Sequence, residues 1–285
     1  MEAMETMHSA NEIINPVREK KLQHPMITAL KSEWTLYFIS VVSFFLVWDF
    51  LAAYKILGNS LARPYEVLQQ IGYLFTHRLA GLTLWGHMWA SFRRVLIGWS
   101  LASAVAIPLG LFMALNDYVR AIVKPLFDLI KPMPPIAWIS IAILWLGIGE
   151  TSKVFIIMIG TFVPCLLNAY NGVRLVEPQL YDVIRFLGGG RRQEIFLVCF
   201  PGSLPAIFAG LQISLSMAWM CVLAAELVSA RSGLGFLIIS GMNSSKPSMI
   251  LAGMVMIALV AWLTSVAATY LENKLCPWKR DISGF

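Results

Sequence analysis

The sequence predicts an all-α, polytopic membrane protein of about six transmembrane helices, with a helix-turn-helix loop on the cytoplasmic side. Composition is the first reason. Hydrophobic residues make up 58% of the chain, charged residues 13%, and mean hydropathy is +0.70, whereas soluble domains carry about 25% charged residues. The second reason is a set of apolar runs near or beyond the ~20 residues that cross a ~30 Å hydrocarbon core as helix, the form in which a backbone satisfies itself in lipid. The third is a polar loop of mixed charge, glycine and proline over 177–205, set between two such runs. Such a loop gains a membrane protein nothing unless something in the water docks on it.

The elements follow in order. Residues 1–35 are polar and charged, with no short apolar core before a small-residue cleavage site, and read as a cytoplasmic tail without a removable signal peptide. Spans are expected at Leu36–Tyr54, Val95–Leu115, Ile136–Leu146 with its apolar approach from Ile122, Val154–Tyr170, Ala206–Val228 and Met249–Leu271. The chain thus divides into the tail, a first span with its outer segment over 36–84, a membrane core over 85–273 that holds the loop, and a cytoplasmic tail over 274–285.

Flanking charge sets the expected orientation, because cytoplasmic loops carry the Lys/Arg excess. With both termini inside, the inner side holds Arg18, Lys20, Lys21 and Lys31, then Arg120, Lys124 and Lys131, then Arg174, Arg185, Arg191 and Arg192, and finally Lys274, Lys279 and Arg280. Arg63, Arg78, Arg93 and Arg94 fall in the outer segment and dilute the bias. A net charge of +6 spread span by span reads as topology and argues against nucleic acid as a partner. The cysteines Cys165, Cys199, Cys221 and Cys276 show no metal or disulfide spacing, and the histidines His8, His24, His77 and His87 are scattered. The glycine cluster Gly188-Gly189-Gly190 is followed by Arg191-Arg192, without the lysine and hydroxyl of a phosphate loop. Nucleotide hydrolysis by that route is excluded, and no cofactor is expected on this chain.

Within the loop, Leu180, Val183, Ile184 and Leu187 fall on one stripe of a surface helix. Three glycines then permit a sharp turn. A second apolar stretch runs to Phe200, and Pro201 with Pro205 marks the entry of the next span. Two short helices would stand out from the membrane as a knob.

This spacing resembles the coupling motif of bacterial ABC importer permeases, Glu-Ala-Ala, three residues, Gly, nine residues, Ile-x-Leu-Pro. Asp182, Val183 and Ile184 hold the first three positions, Gly188 the glycine, and Val198, Phe200 and Pro201 the end. The register matches throughout, while Asp for Glu and two β-branched residues for the alanines depart from the pattern. The stretches KPMPPIAWISIAILWLGIGETSK, FAGLQISLSMAWMCVLAAELVSARSGLGFLI and LCPW resemble the subfamily serving taurine, alkanesulfonates, nitrate and bicarbonate. The resemblance covers residues 85–280 and implies a transport subunit of the inner (plasma) membrane, not an enzyme. It further implies cytoplasmic ATPase subunits that carry ATP and magnesium, an extracytoplasmic substrate-binding protein and a second permease copy, with a homodimer expected. Asp182, Arg185, Gly188, Arg191, Arg192 and Pro201 are then the ATPase-coupling candidates.

Other candidates lie in the spans. Pro132, Pro134 and Pro135 either break the third span beside the substrate route or end a surface helix before it. Glu226 at membrane depth is a functional candidate by default, but a carboxylate repels an anion, so pairing with Arg231 or a place in the outer gate is expected. Small residues Gly98, Ser100, Ser103, Gly110, Gly210, Ser214, Ser216 and Ala218 suit close helix packing, with Ser214 a donor candidate towards a translocated oxyanion. An autonomous secondary transporter or channel is the alternative. Against it, the spans show no matching halves with broken helices and no chain of membrane acids.

Overall fold

A computed structural model of the chain describes residues 33–56, 58–229 and 231–278. Most of the tail over 1–35 and residues 279–285, with Lys279 and Arg280, lie outside the described residues. The chain divides at Gly58 into two compact units. The first holds α1 (Glu33–Ala53), apolar on every side like a helix that meets lipid all round.

The second unit begins with α2 (Pro64–Thr76), whose proline at the first turn and Glu66 carboxylate, accepting from the Arg63 backbone N–H at 2.9 Å, fix its start. Next come α3 (Leu84–Leu115), α4 (Asp117–Ile130), α5 (Trp138–Leu146) and α6 (Glu150–Arg174), then α7 (Pro178–Phe186), α8 (Phe200–Ser229), α9 (Leu234–Asn243) and α10 (Pro247–Leu275). Among the described residues, five helices are long and apolar enough to cross a membrane, and α4 with the stretch Pro135–Leu146 forms a sixth, bent by 78°.

Four of the expected spans are longer here, and α3 gains a whole polar segment at its start. It starts at Leu84 rather than Val95 because His87, Ser91 and Arg94, which a hydropathy window rejects, are buried on the same stripe that continues through Gly98, Ala102, Ala106 and Gly110. Their spacing of four, three and four residues is that of one helix face. This stripe packs against α6 with backbones in close approach. A Cβ on Gly98 would lie 2.7 Å from Ile157 Cβ and 2.9 Å from Val154 O, and one on Gly110 only 2.6 Å from Leu166 O. Small residues therefore decide where the two spans meet.

Pro201 and Pro205, expected to mark the entry of a new span, do not begin a helix. One continuous helix runs from Arg191 to Ser229. A proline at 201 removes an N–H and crowds the carbonyl four residues earlier. The chain responds by widening Glu194–Cys199 into a π-turn, where the Phe200 N–H reaches Ile195 O, five residues back. After Ser229 the chain turns and folds α9, too short for a span.

Candidate functional site

Two constructions stand out, at opposite ends of the Arg191–Ser229 helix. The first is the elbow formed by α7 and the start of that helix. Leu187 closes α7, and Gly188 follows at φ +78°, the left-handed conformation that favours glycine. The Gly188 N–H donates to Arg185 O at 3.0 Å and the Gly189 N–H to Ile184 O at 2.9 Å, a Schellman cap. The Gly190 N–H donates to the Gln193 side chain. All three glycine N–H groups are thus engaged within the chain, so the cluster is a helix cap and not a phosphate cradle.

The charges of the elbow hold it together. Arg185 Nε donates to Glu194 Oε1 at 2.7 Å and Arg185 Nη1 lies 3.7 Å from Asp182, which braces α7 on the π-turn and holds the Arg185 guanidinium above its usual range. Arg191 Nη2 donates to Leu115 O at 3.3 Å, tying the elbow to the last carbonyls of α3. Burial pushes the Tyr181 phenol up to about 12, reinforced by Cys199 and Glu194, so it stays a donor. Arg192 is exposed, and Pro201 lies inside the helix beyond the π-turn.

The apolar stripe of α7 is largely uncovered: Leu180 and Val183 are exposed, Leu187 is 80% exposed, and beside them Phe186 is 91% exposed. Sequence reasoning chose the charges as contact residues and passed over Phe186. The signal was present, since a helix with an apolar stripe in a loop that no span covers needs a partner.

The second construction lies around Glu226, 1% exposed near the end of α8. Its partner is Arg94, with Nη1 donating to Oε1 at 2.6 Å, and not the exposed Arg231, which corrects the sequence expectation. Arg94 stands on α3 four residues before Gly98, and the α3–α6–α8 packing carries it to Glu226. The Ser91 hydroxyl donates to the same carboxylate at 2.8 and 2.9 Å, and the Gly235 N–H reaches Oε2 at 2.8 Å. Gly233, at φ +118°, lies against the carboxylate so closely that a Cβ there would collide with it.

Arg94 makes further bonds. Nε and Nη2 form a two-pronged contact with Glu150 at 2.7 Å each, Nη1 donates to Ser232 O at 2.8 Å and Nη2 to Ser232 Oγ at 2.9 Å. The Lys153 ammonium lies 3.2 Å from Glu150 Oε1. His87 Nδ1 accepts from the Gly233 N–H at 3.1 Å, which puts the ring proton on Nε2, facing Leu79 O at 3.0 Å. Among the described residues, no buried side-chain nitrogen or oxygen lacks a partner. The network staples α3, α6, α8 and the turn before α9 to one another.

The remaining candidates separate. Pro135 rests against Gly160, ten residues into α6 and therefore about 15 Å from its first turn. The proline turn thus packs beside the middle of α6, and Pro134 next to it is exposed. Ser214 is fully buried, its hydroxyl donating to Leu211 O and accepting from Trp99 Nε1, both at 2.8 Å, which leaves it no hydrogen for an anion. Among the described residues, no three His, Cys, Asp or Glu side chains converge as metal ligands.

Residues 106–280 match the family described as the binding-protein-dependent transport system inner membrane component. The chain is 36% identical over 200 residues to the taurine transport system permease protein of Escherichia coli strain K12, covering 70% of this chain and 73% of that one. Identity to the nitrate import permease protein of Synechocystis is 29% over 244 residues, 84% of this chain and 88% of the relative. In three dimensions the chain is similar to one of the inward-facing MetNI methionine ABC transporter, with a TM-score of 0.59 over 73% of this chain and 98% of that one, at 15% identity, a likeness of fold alone.

Proposed function

The chain belongs to the family of binding-protein-dependent transport system inner membrane components, and from that premise we propose that it is the membrane subunit of an ATP-driven importer of a small sulfonate. Taurine or an alkanesulfonate stands ahead of nitrate, nitrite or bicarbonate, in keeping with the higher identity to the taurine permease than to the nitrate permease. Both termini and the elbow face the cytoplasm, the Glu226 network lies towards the outside, and the chain works as a pair with a second copy. A soluble binding protein delivers substrate from outside, and two ATPase subunits holding ATP and magnesium dock on the two elbows.

The observation that carries this reading is the elbow itself, a short helix held rigid by its cap and by Arg185 and Arg191, presenting Phe186 and Leu187 to the water. An apolar, rigid tip of this kind suits a cleft on a moving partner. Closure of the ATPase pair would draw two elbows together, and the Arg191–Ser229 helix would carry the movement across the membrane as one body.

The test is purification of the chain from its native membrane in mild detergent, followed by mass spectrometry of whatever accompanies it in stoichiometric amount. A soluble chain with a phosphate-binding loop, and taurine uptake into vesicles that needs ATP but no proton or sodium gradient, is the expected result. Gradient-driven uptake by the chain alone would replace the reading with an autonomous transporter.

A further inference from the structure

The two carboxylates on Arg94 are held very differently. Glu226 is sealed on every side, whereas Glu150 is 47% exposed and sits in the first turn of α6. Its carboxylate rests on two buried cations, with a third, exposed one beside them. Arg94, 2% exposed, offers Nε and Nη2 as a parallel fork, Lys153, 5% exposed, offers its ammonium from one turn further on, and Arg93 Nη2 stands 3.8 Å away. With Arg93, Arg94 and Lys153 set against Glu150 and Glu226, the cluster carries a net positive charge.

The Arg94 side of the seat does not depend on Glu150 for its shape. Arg94 is fixed from behind by Glu226 and the Ser232 carbonyl. The α3–α6 contact at Gly98, against Val154 and Ile157, lies one turn from Arg94 and next to Lys153. A buried guanidinium fork with a buried ammonium beside it supplies the donors of an oxyanion receptor.

We propose that the seat of the Glu150 carboxylate is an oxyanion-binding site, in which a sulfonate displaces Glu150 and takes its place on Arg94 and Lys153. That the anion is a transported sulfonate rests on the importer reading above, while the site itself rests on the geometry. The fit favours a sulfonate over a carboxylate. Glu150 Oε1 is shared between Arg94 Nη2 and Lys153, with the ammonium left at 3.2 Å, and a third oxygen would give each cation its own acceptor. Return of Glu150 to the seat then ejects the anion, so the side chain acts as a competitor held on a short tether.

The test uses the intact transporter in lipid nanodiscs, without nucleotide or binding protein, titrated with methanesulfonate at constant ionic strength made up with chloride. Wild type is expected to show saturable binding that chloride does not replace. Lys153→Gln is expected to weaken it about tenfold, the loss of one hydrogen bond to a charged group. Glu150→Gln removes the competitor's charge and is expected to tighten binding about tenfold or more. Absence of saturable binding in wild type, or wild-type affinity in both variants, overturns the proposal. Binding confined to Glu150→Gln overturns it as well, because the native carboxylate then never yields its seat. Preference for nitrate over methanesulfonate upholds the site and changes the substrate. Saturable binding in a transporter whose uptake needs no ATP upholds the site and removes the importer.

Discussion

Replacing Glu226 by glutamine tests whether the buried network is a structural centre. The carboxylate accepts from Arg94 and Ser91 at Oε1 and from Ser91 and Gly235 at Oε2. An amide has one acceptor atom, so whichever way it turns, its NH2 faces either the Arg94 guanidinium or the Gly235 N–H. One donor loses its partner, and Arg94 keeps only Glu150 as counter-charge. Breaking one side of a buried ion pair costs about 3–5 kcal/mol, which corresponds to a fall of roughly 6–20 °C in unfolding midpoint for a domain of this size. The protein supplies its own probe. Cys165, Cys199, Cys221 and Cys276 are all buried, so a thiol-reactive fluorogenic dye reports unfolding directly in detergent. Arg231→Ala is the control, and as a change to an exposed side chain it should stay within ~0.5 kcal/mol of wild type. A Glu226→Gln midpoint equal to wild type, or an equal fall in both variants, would refute the assignment of Arg94 as the partner.

Phe186→Asp with Leu187→Asp should leave the unfolding midpoint unchanged, since both side chains are exposed, but should abolish co-purification of the ATPase; retained stoichiometric ATPase would move the docking surface elsewhere. Gly188→Arg forces a side chain onto φ +78°, a strain of about 1–2 kcal/mol confined to the elbow. It should reach the membrane at normal abundance and lose uptake, and normal uptake by that variant would end the coupling role. Gly110→Val places a Cβ 2.6 Å from Leu166 O and should destabilise the α3–α6 contact by about 1–3 kcal/mol, read with the same dye, whereas an unchanged midpoint would mean that the helices separate freely there.

Much of this architecture is legible in the sequence, because crossing lipid demands long apolar runs and the elbow demands glycine after a short amphipathic helix. The elements that escape do so for physical reasons. Arg94 reads as one of several loop charges, since hydropathy sums along the chain and is blind to a counter-ion more than a hundred residues away. Only the helical spacing of His87, Ser91 and Arg94, set beside an acid in a distant span, hints at a shared face. Pro201 reads as the start of a new helix because the rule for proline assumes an α-turn, and a π-turn relaxes it. At the elbow, Arg185 was expected to meet a partner protein but is committed to Glu194, a contact that depends on the angle between two helices and is invisible to spacing.

The π-turn at Glu194–Cys199 has a consequence for how this chain tolerates insertion and deletion. A π-turn holds one residue more than the α-turn it replaces, and one residue is about 100° of rotation about a helix axis. It therefore sets the phase between the elbow and every residue from Phe200 to Ser229. Deleting a single residue within it would restore a regular α-turn and leave the elbow in phase with Leu115, which Arg191 now reaches. One residue more finds no second such turn to absorb it and would swing the elbow by about 100° around the helix axis, away from Leu115. Length in this short segment is thus a constraint separate from the identity of any side chain in it, and a lopsided one, tolerant of a loss and intolerant of a gain.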